Sequence, residues 1–247
     1  MLIIRSSLLA EYADISFGLS TKVGNKKKLP YFFNMSKSIG DDEKRVEENR
    51  KLFFSKFGLT PENVVIQKQI HSDIINIVEK PEKNLEGDAL ITNKPNIGLA
   101  ISTADCNNIY LYDKSKKIIS AIHSGWRGTE KKIVAKTLQK LKDEFNVLPN
   151  DLKVYVGPAI SQENYEVDEE VAAKFDKKYY MQSEENKDKF LLDLKLANYD
   201  MLIDFGIPQN NIQLSSICSY NQKELHSYRR DKEKSGRALG IIVMKEL

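Results

Sequence analysis

His71, Cys106 and His123 are the side chains of this sequence best suited to grip a metal ion. Thiolate and imidazole both suit zinc, and a set of one cysteine and two histidines leaves one tetrahedral position open, the pattern of a catalytic rather than a structural site. His71 lies in Gln69-Ile70-His71-Ser72-Asp73, a turn expected between two strands. Cys106 follows an expected strand in Thr103-Ala104-Asp105-Cys106, and His123 ends another, just before Ser124-Gly125-Trp126-Arg127-Gly128. All three therefore fall at strand ends, where loops carry sites on α/β scaffolds. Their spacing is long and makes no local motif. Histidines at such positions are also commonly structural hydrogen-bonding groups, and the residues alone leave both readings open.

Other polar residues fall in suggestive places. Asp88, in Gly87-Asp88-Ala89, is either an ordinary turn aspartate or a carboxylate that orients a metal ligand or acts as a base. The segment from His123 to Thr129 reads as a strand, a glycine-bounded loop and then a helix. A helix N-terminus with Arg127 beside it suits an anion such as phosphate, and Trp126 either stacks on a base or packs. Arg50 and Asn49 share the helix face marked by Val46 and Phe53, so both should be buried. A buried arginine needs a partner, either a carboxylate in a structural network or an anionic ligand. Cys218 reads as buried and inert in mid-strand, and His226 as non-ligating.

Positioning these groups requires a framework of strands and helices. Short β-rich runs come first: Leu2 to Ser6, Ile15 to Ser20, Val64 to Gln69, Ile74 to Glu79, Ala89 to Thr92, Gly98 to Thr103, Ile109 to Asp113 and Ile118 to His123. One early helix interrupts them, opened by Asp41 and Asp42 and ended by Gly58. A second helix is expected over Thr129 to Phe145, a third over Asp168 to Tyr179 and a fourth over Leu194 to Phe205, the last capped by Asp193 and stopped by Gly206. Strands at Lys153 to Val156, Ile212 to Cys218 and Arg237 to Met244 complete the pattern, with a polar loop from Glu184 to Lys189. The mixture reads as a single mixed α/β domain over residues 1–247.

Composition narrows the class. Hydrophobic residues are 41% and charged residues 30%, as in ordinary globular proteins. The net charge of +3 is spread rather than clustered, which argues against a nucleic-acid partner, and Lys26-Lys27-Lys28 reads as a solvated loop. No stretch approaches the roughly 18 apolar residues of a membrane span, and Met1-Leu2-Ile3-Ile4-Arg5 lacks the apolar run of a signal peptide. A cytoplasmic location is therefore the expectation. Two cysteines do not indicate a disulfide scaffold.

Several segments together resemble the polyphenol oxidoreductase laccase family, also described as zinc-dependent purine nucleoside phosphorylase-like proteins. They are Gln69-Ile70-His71, Gly87-Asp88-Ala89-Leu90, Ala104-Asp105-Cys106, His123 to Gly128, Gly157-Pro158 and Ser227-Tyr228-Arg229-Arg230-Asp231, with Asn34, Gly40-Asp41-Asp42 and Val46 to Arg50. The resemblance implies metal ligation by His71, Cys106 and His123, with zinc the expected ion and copper the alternative. It implies a three-layer αβα fold around one mixed sheet, similar to the putative cysteine hydrolase fold. It further implies phosphorolysis of adenosine, inosine and methylthioadenosine, deamination of adenosine, or editing of peptidoglycan precursors. The catalytic candidates are then Asp88 and Cys106, and Asn34, Arg50, Trp126 and Arg127 are the substrate-binding candidates. Expected partners are a nucleoside and phosphate, with no nucleic acid and no membrane, for a monomer or homodimer.

The sequence departs from the family pattern at His226, where an aromatic is common, at Asn107-Asn108, where an apolar pair with proline is common, and at Ser38, where a histidine is common. These departures bear on substrate preference and leave the ligands intact. Three histidines cannot build several copper centres, so multicopper oxidase chemistry is excluded, although a single copper would fit an N/S donor set. The alternatives are a cysteine-type hydrolase or amidase with Cys106 as nucleophile and His123 as base, and a single-copper polyphenol oxidoreductase.

Overall fold

The computed structural model describes residues 1–24 and 29–246, so the run Lys26-Lys27-Lys28 lies outside the described residues. The first strands are β1 (Ile3–Ile4), β2 (Ile15–Ser20), β3 (Val64–Ile66), β4 (Ile75–Ile77), β5 (Ala89–Thr92), β6 (Gly98–Thr103) and β7 (Asn107–Asp113). They continue with β8 (Ile118–Ser124), β9 (Leu152–Val156), β10 (Glu166–Asp168), β11 (Tyr180–Gln182), β12 (Lys189–Leu192), β13 (Ile212–Leu214) and β14 (Ala238–Met244). The helices are α1 (Ser7–Ala10), α2 (Glu43–Phe54), α3 (Trp126–Glu130), α4 (Ile133–Phe145), α5 (Glu169–Ala172), α6 (Leu194–Asp204) and α7 (Tyr228–Asp231).

The strands form three sheets rather than the one expected. A five-stranded sheet has the order β1-β2-β14-β6-β3, a six-stranded sheet β13-β9-β7-β8-β5-β4, and a small sheet β10-β12-β11. The two large sheets pack face to face. Phe17, Leu19, Leu99, Ile101 and Ile242 of the first meet Leu90, Tyr110, Tyr112, Ala121 and Tyr155 of the second in one buried cluster. Strand periodicity of two sends the alternate residues outward. Ala100, Leu239, Ile241 and Val243 thus pack on Phe53 and Phe54 of α2, while Ile109, Ile122, Val154 and Val156 pack on Val134, Leu138 and Leu141 of α4 and Leu202 of α6. The layers therefore run helix, sheet, sheet, helix. The expected three-layer, single-sheet arrangement is corrected for a plain reason. A strand covered on both faces shows the same continuous apolar run whether a helix or a second sheet covers it.

Several element boundaries also move. The early helix keeps its expected limits: the Asp42 side chain accepts from the Arg45 N–H, and Gly58 closes the following turn at φ 71°. The second helix divides, because Lys132 adopts φ 59° between α3 and α4. The third shrinks to α5 and a separate 3-10 turn, where the Asp176 side chain captures the Lys178 N–H and starts a new turn. Strand β13 ends at Leu214, and buried Cys218 makes only an isolated bridge to Ala159, so it is not in mid-strand. The fourth helix starts as expected, with the Asp193 carboxylate accepting from the Leu196 N–H.

Tyr110 spans the layer between the two large sheets. Its ring lies across from Gly240, where an added Cβ would sit 1.7 Å from the phenolic oxygen. That hydroxyl is buried with no hydrogen-bond partner. We expect Gly240→Ala to overpack the inter-sheet core and cost about 1–3 kcal/mol or more, read from urea midpoints. Tyr110→Phe should be neutral or stabilising by about 1 kcal/mol, because it removes an unpaired buried polar atom.

His226 is likewise buried, with Nδ1 unpaired and Nε2 3.4 Å from the Phe33 carbonyl oxygen. Burial, with the charges of Lys22 and Arg237, pushes its pKa down from 6.5 to about 3. Above about pH 6.5 the folded and unfolded chains both hold it neutral and nothing is lost. Below that pH the unfolded chain takes up a proton that the folded chain refuses until about pH 3. Stability should therefore fall by about 3–5 kcal/mol as pH drops through this window, and His226→Phe should flatten the decline. Urea midpoints measured from pH 7 to pH 4 would check this, and parallel slopes for the two proteins would contradict it.

Candidate metal centre

The two-sheet arrangement brings the three donors together. His71 sits in the connection from β3 of the five-stranded sheet to β4 of the six-stranded one. Cys106 sits in the connection from β6 to β7, which also crosses between the sheets. His123 continues the inward series of Ile119 and Ala121 along β8, so its ring enters the end of the inter-sheet layer. The metal-capable atoms of the three residues all lie within 4.8 Å of one another. The imidazole rings are 4.9 Å apart, centre to centre, and nearly perpendicular.

Asp88 fastens this group. Fully buried, its carboxylate accepts from His123 Nδ1 at 2.8 Å, from the Ser72 N–H at 2.6 Å and from Ser72 Oγ at 2.7 Å. The backbone N–H groups of His71 and Ile70 add contacts at 3.2 and 3.3 Å. These bonds hold His71 at φ 57° and turn the His123 ring so that Nε2 faces Cys106. The Gln69 side chain ties the same loop to β6, donating to the Ser102 carbonyl at 2.8 Å and accepting its N–H at 2.7 Å.

The Cys106 turn is clamped as firmly. Asp105, at φ 93°, accepts from Ser219 Oγ at 2.6 Å and from the Arg229 N–H at 2.7 Å. Thr103 Oγ1 donates to the Cys106 carbonyl at 2.7 Å. Gly125 closes the third side. A Cβ there would lie 3.0 Å from both Cys106 Sγ and His71 Cδ2, so any larger residue would press on two of the donors. Behind Gly125, Ser124 Oγ donates to Asn198 Oδ1 at 2.8 Å, and Asn198 Nδ2 donates to Thr129 Oγ1 at 3.1 Å, which anchors the loop to α6.

Electrostatics follow from this packing. Burial raises the Cys106 thiol, but the charge and hydrogen bonds of His123, with those of His71, overcome it and bring it down to about 6. Burial lowers His123, but Cys106 and Asp88 lift it to about 9. Burial raises Asp88, yet its bonds to His123 and Ser72 hold it at about 2. The packing thus favours the thiolate, the form that a metal ligand or a nucleophile requires. A tetrahedral zinc with bonds near 2.0 Å to nitrogen and 2.3 Å to sulfur needs donors about 3.3–3.6 Å apart, so the group fits with small side-chain adjustment. A carboxylate on the far nitrogen of one histidine is the usual support of such ligands.

The remaining expected site residues divide. Asp88, with five donors and a pKa lowered to about 2, has the arrangement of a carboxylate that orients a ligand, one of the two readings its sequence position offered. Trp126 and Arg127 stand beside the donors but begin the short α3 rather than precede a helix. Trp126 packs towards Val167, Leu192 and Leu194, and the Arg127 guanidinium lies 4.2 Å over its ring. Asn34 spends its side chain on Ser36, Asp41 and the Arg237 N–H. Arg50 donates Nε to the Met35 carbonyl at 2.7 Å and lines a cavity of about 530 Å³ with Lys37, Lys51 and Lys83, which none of the three donors lines. Of the departing residues, Asn108 is buried and donates to the Pro158 carbonyl at 2.8 Å. Sequence reasoning assigned no role to Gln69, Ser72, Asp105, Tyr165, Arg229 or Arg237. Arg229 lay within a segment already singled out, and Asp105 is the neighbour of Cys106. Tyr165 carried no signal.

Known proteins match this chain over nearly its whole length. The family model described as multi-copper polyphenol oxidoreductase laccase matches residues 16–245. A Bacteroides thetaiotaomicron protein named purine nucleoside phosphorylase is 35% identical, covering 96% of this chain and 94% of that one. A Clostridium acetobutylicum protein of the same name is 39% identical over 86% of this chain and 87% of its own. Among solved structures, YlmD from Geobacillus stearothermophilus superposes with a TM-score of 0.89 at 29% identity, covering 98% of this chain and 94% of that one. With nearly the whole chain aligned in both sequence and fold, this protein belongs to the multi-copper polyphenol oxidoreductase laccase family.

Proposed function

We propose that the chain is a zinc-dependent purine nucleoside enzyme. On this reading it cleaves adenosine, inosine and methylthioadenosine with phosphate and deaminates adenosine. The observation that carries the reading is the His71–Cys106–His123 group, braced by Asp88, in a chain whose relatives are named purine nucleoside phosphorylase. Within the described residues it is the single convergent group of this kind, so one ion per chain is the expectation despite the family's description.

When bound, the ion supplies Lewis acidity at a coordination position that the protein leaves open. The chain's own residues do the rest. Asp88 fixes the His123 ring and keeps Nε2 free to ligate. Gly125 leaves room beside the donors, and Trp126 and Arg127 border that space. Asn34 accepts from the Arg237 N–H, and Arg50 donates to the Met35 carbonyl one residue further on, so a substrate-binding role for these two rests on the resemblance alone. In phosphorolysis a phosphate oxygen forms a bond to ribose C1′ as the bond from C1′ to the purine nitrogen breaks, and the purine leaves with a proton. In deamination, water adds at C6 and ammonia departs.

A second reading draws on the Cys106–His123 pair itself. Against burial, which opposes both shifts, His123 draws the Cys106 thiol down while Cys106 and Asp88 lift the His123 imidazole, so the pair leans towards thiolate and imidazolium. That suits a cysteine hydrolase or amidase, in which Cys106 attacks a carbonyl and His123 gives its proton to the leaving amine.

Four measurements test these readings. Elemental analysis of the pure protein should give about one zinc per chain, with copper as the alternative ion. Inosine with phosphate should give hypoxanthine and ribose 1-phosphate, and His71→Ala or Cys106→Ala should lower turnover at least about 100-fold. Asp88→Asn should weaken metal affinity by about 10–100-fold with the chain still folded, as measured by competition with a chelating dye. Turnover that survives metal removal but is lost on alkylation of Cys106 would select the hydrolase reading.

A further inference from the structure

Three arginines that come from separate elements converge beside the donor group. Arg127 lies two residues beyond Gly125, whose added Cβ would touch Cys106 Sγ. The Arg229 backbone N–H donates to the Asp105 carboxylate, next to Cys106. Arg237 immediately precedes Ala238, which pairs with Thr103 at the foot of the Cys106 turn. Each guanidinium is seated on an aromatic ring: Arg127 over Trp126 at 4.2 Å, Arg229 over Tyr165 at 5.2 Å and Arg237 over Tyr228 at 5.3 Å.

Within the described residues, Arg45 and Arg230 pair with carboxylates, Asp41 and Asp231, whereas these three do not. Their bonds to the protein are few and leave donors free. Arg229 Nη1 donates to the Glu166 carbonyl at 2.7 Å, and Arg237 Nη1 donates to the carbonyls of Ser235 and Gly236. Tyr165 joins the set electrostatically: burial first, and then the Cys106 charge, push its phenol up, while Arg229 and Arg127 work against that rise. Three guanidinium groups face two anions here, the Cys106 thiolate and the Asp105 carboxylate, which leaves one positive charge in excess. Planar guanidinium forks match the oxygen spacing of a tetrahedral oxyanion.

We propose that Arg127, Arg229 and Arg237 form the anion-holding face of the metal site and take a phosphoryl group, with inorganic phosphate as the co-substrate. The nucleoside reading above enters only in naming that co-substrate; anion binding itself stands without it. The role assigns phosphate to these side chains rather than to Arg50, whose cavity is lined by none of the three donors. Trp126 and Tyr165 serve as platforms that hold the guanidinium planes in place.

The test is calorimetric titration of the metal-loaded protein at low ionic strength, with inorganic phosphate in one arm and inosine 5′-monophosphate in the other. Arg127→Gln, Arg229→Gln and Arg237→Gln are compared with Lys142→Gln, an exposed charge change on α4. Among the described residues the Arg127 side chain makes no hydrogen bond to the rest of the chain, so that variant keeps the test decisive if the other two misfold. Loss of each guanidinium should weaken phosphate binding roughly 10-fold or more, and Lys142→Gln should leave it unchanged. Weakening in the monophosphate arm alone keeps the phosphoryl site and makes an esterified phosphate its source. Unchanged affinity in both arms for the folded arginine variants overturns the proposal. If phosphate binding depends on the arginines but inosine is not phosphorolysed, the nucleoside reading fails and the anion site stands. Phosphorolysis with arginine-independent phosphate binding overturns the site alone.

Discussion

A single buried carboxylate holds the functional end of this molecule together. Asp88 leads into β5 and accepts from His123 at the end of β8 and from the loop that carries His71. An unpaired charge in that position would be costly, because burial strips it of water. Five donors offset the cost, and the same bonds fix the rotation of one ligand and the backbone of another. Metal-site geometry and local folding are here one interaction. The low pKa of Asp88 is the electrostatic expression of that arrangement.

Around this anchor, the site depends on the architecture of two stacked sheets. Two of its three donors lie in connections that pass from one sheet to the other. The donor group therefore sits at the mouth of the inter-sheet layer, with apolar packing behind it and loops in front. Tyr110 against Gly240 and Phe17 against Tyr155 keep the sheets at fixed separation. Rigid scaffolding of this kind is what a preorganised ligand set requires, since a metal binds tightly only where its donors need not be gathered first. The small sheet β10-β12-β11 adds Tyr165 and a packing surface for Trp126, and so builds the outer wall of the site.

The chemistry at the centre is shared by both functional readings. A thiolate beside an imidazolium is a nucleophile when it faces a carbonyl and a ligand when it faces a metal. The third donor, His71, and the carboxylate behind His123 tilt the balance towards metal, because a nucleophile–base pair has no need of a second imidazole 4.9 Å away. The unpaired arginines then place positive charge where an anionic reactant would approach.

Much of this was legible in the residues themselves. The α2 and α6 boundaries followed from Asp42, Asp193, Gly58 and Gly206, since capping is a local interaction of neighbouring residues. The identity of the three donors followed from their chemistry and from the segments around them. The partition of strands into sheets did not, because doubly covered strands look alike in sequence. Nor did the roles of Arg50 and Arg237. Both are half-buried arginines, and sequence marks only that such a group needs a partner, whereas the turns and crossings of distant strands decide which partner it meets. The sequence alone thus determined which side chains can bind a metal and where helices start and stop. The tertiary structure decided that the donors meet between two sheets, that Asp88 braces them, and which aromatic rings seat the nearby arginines. The physical reason is that ligand sets and charge clusters are long-range contacts, and long-range contacts exist only once the sheets have packed.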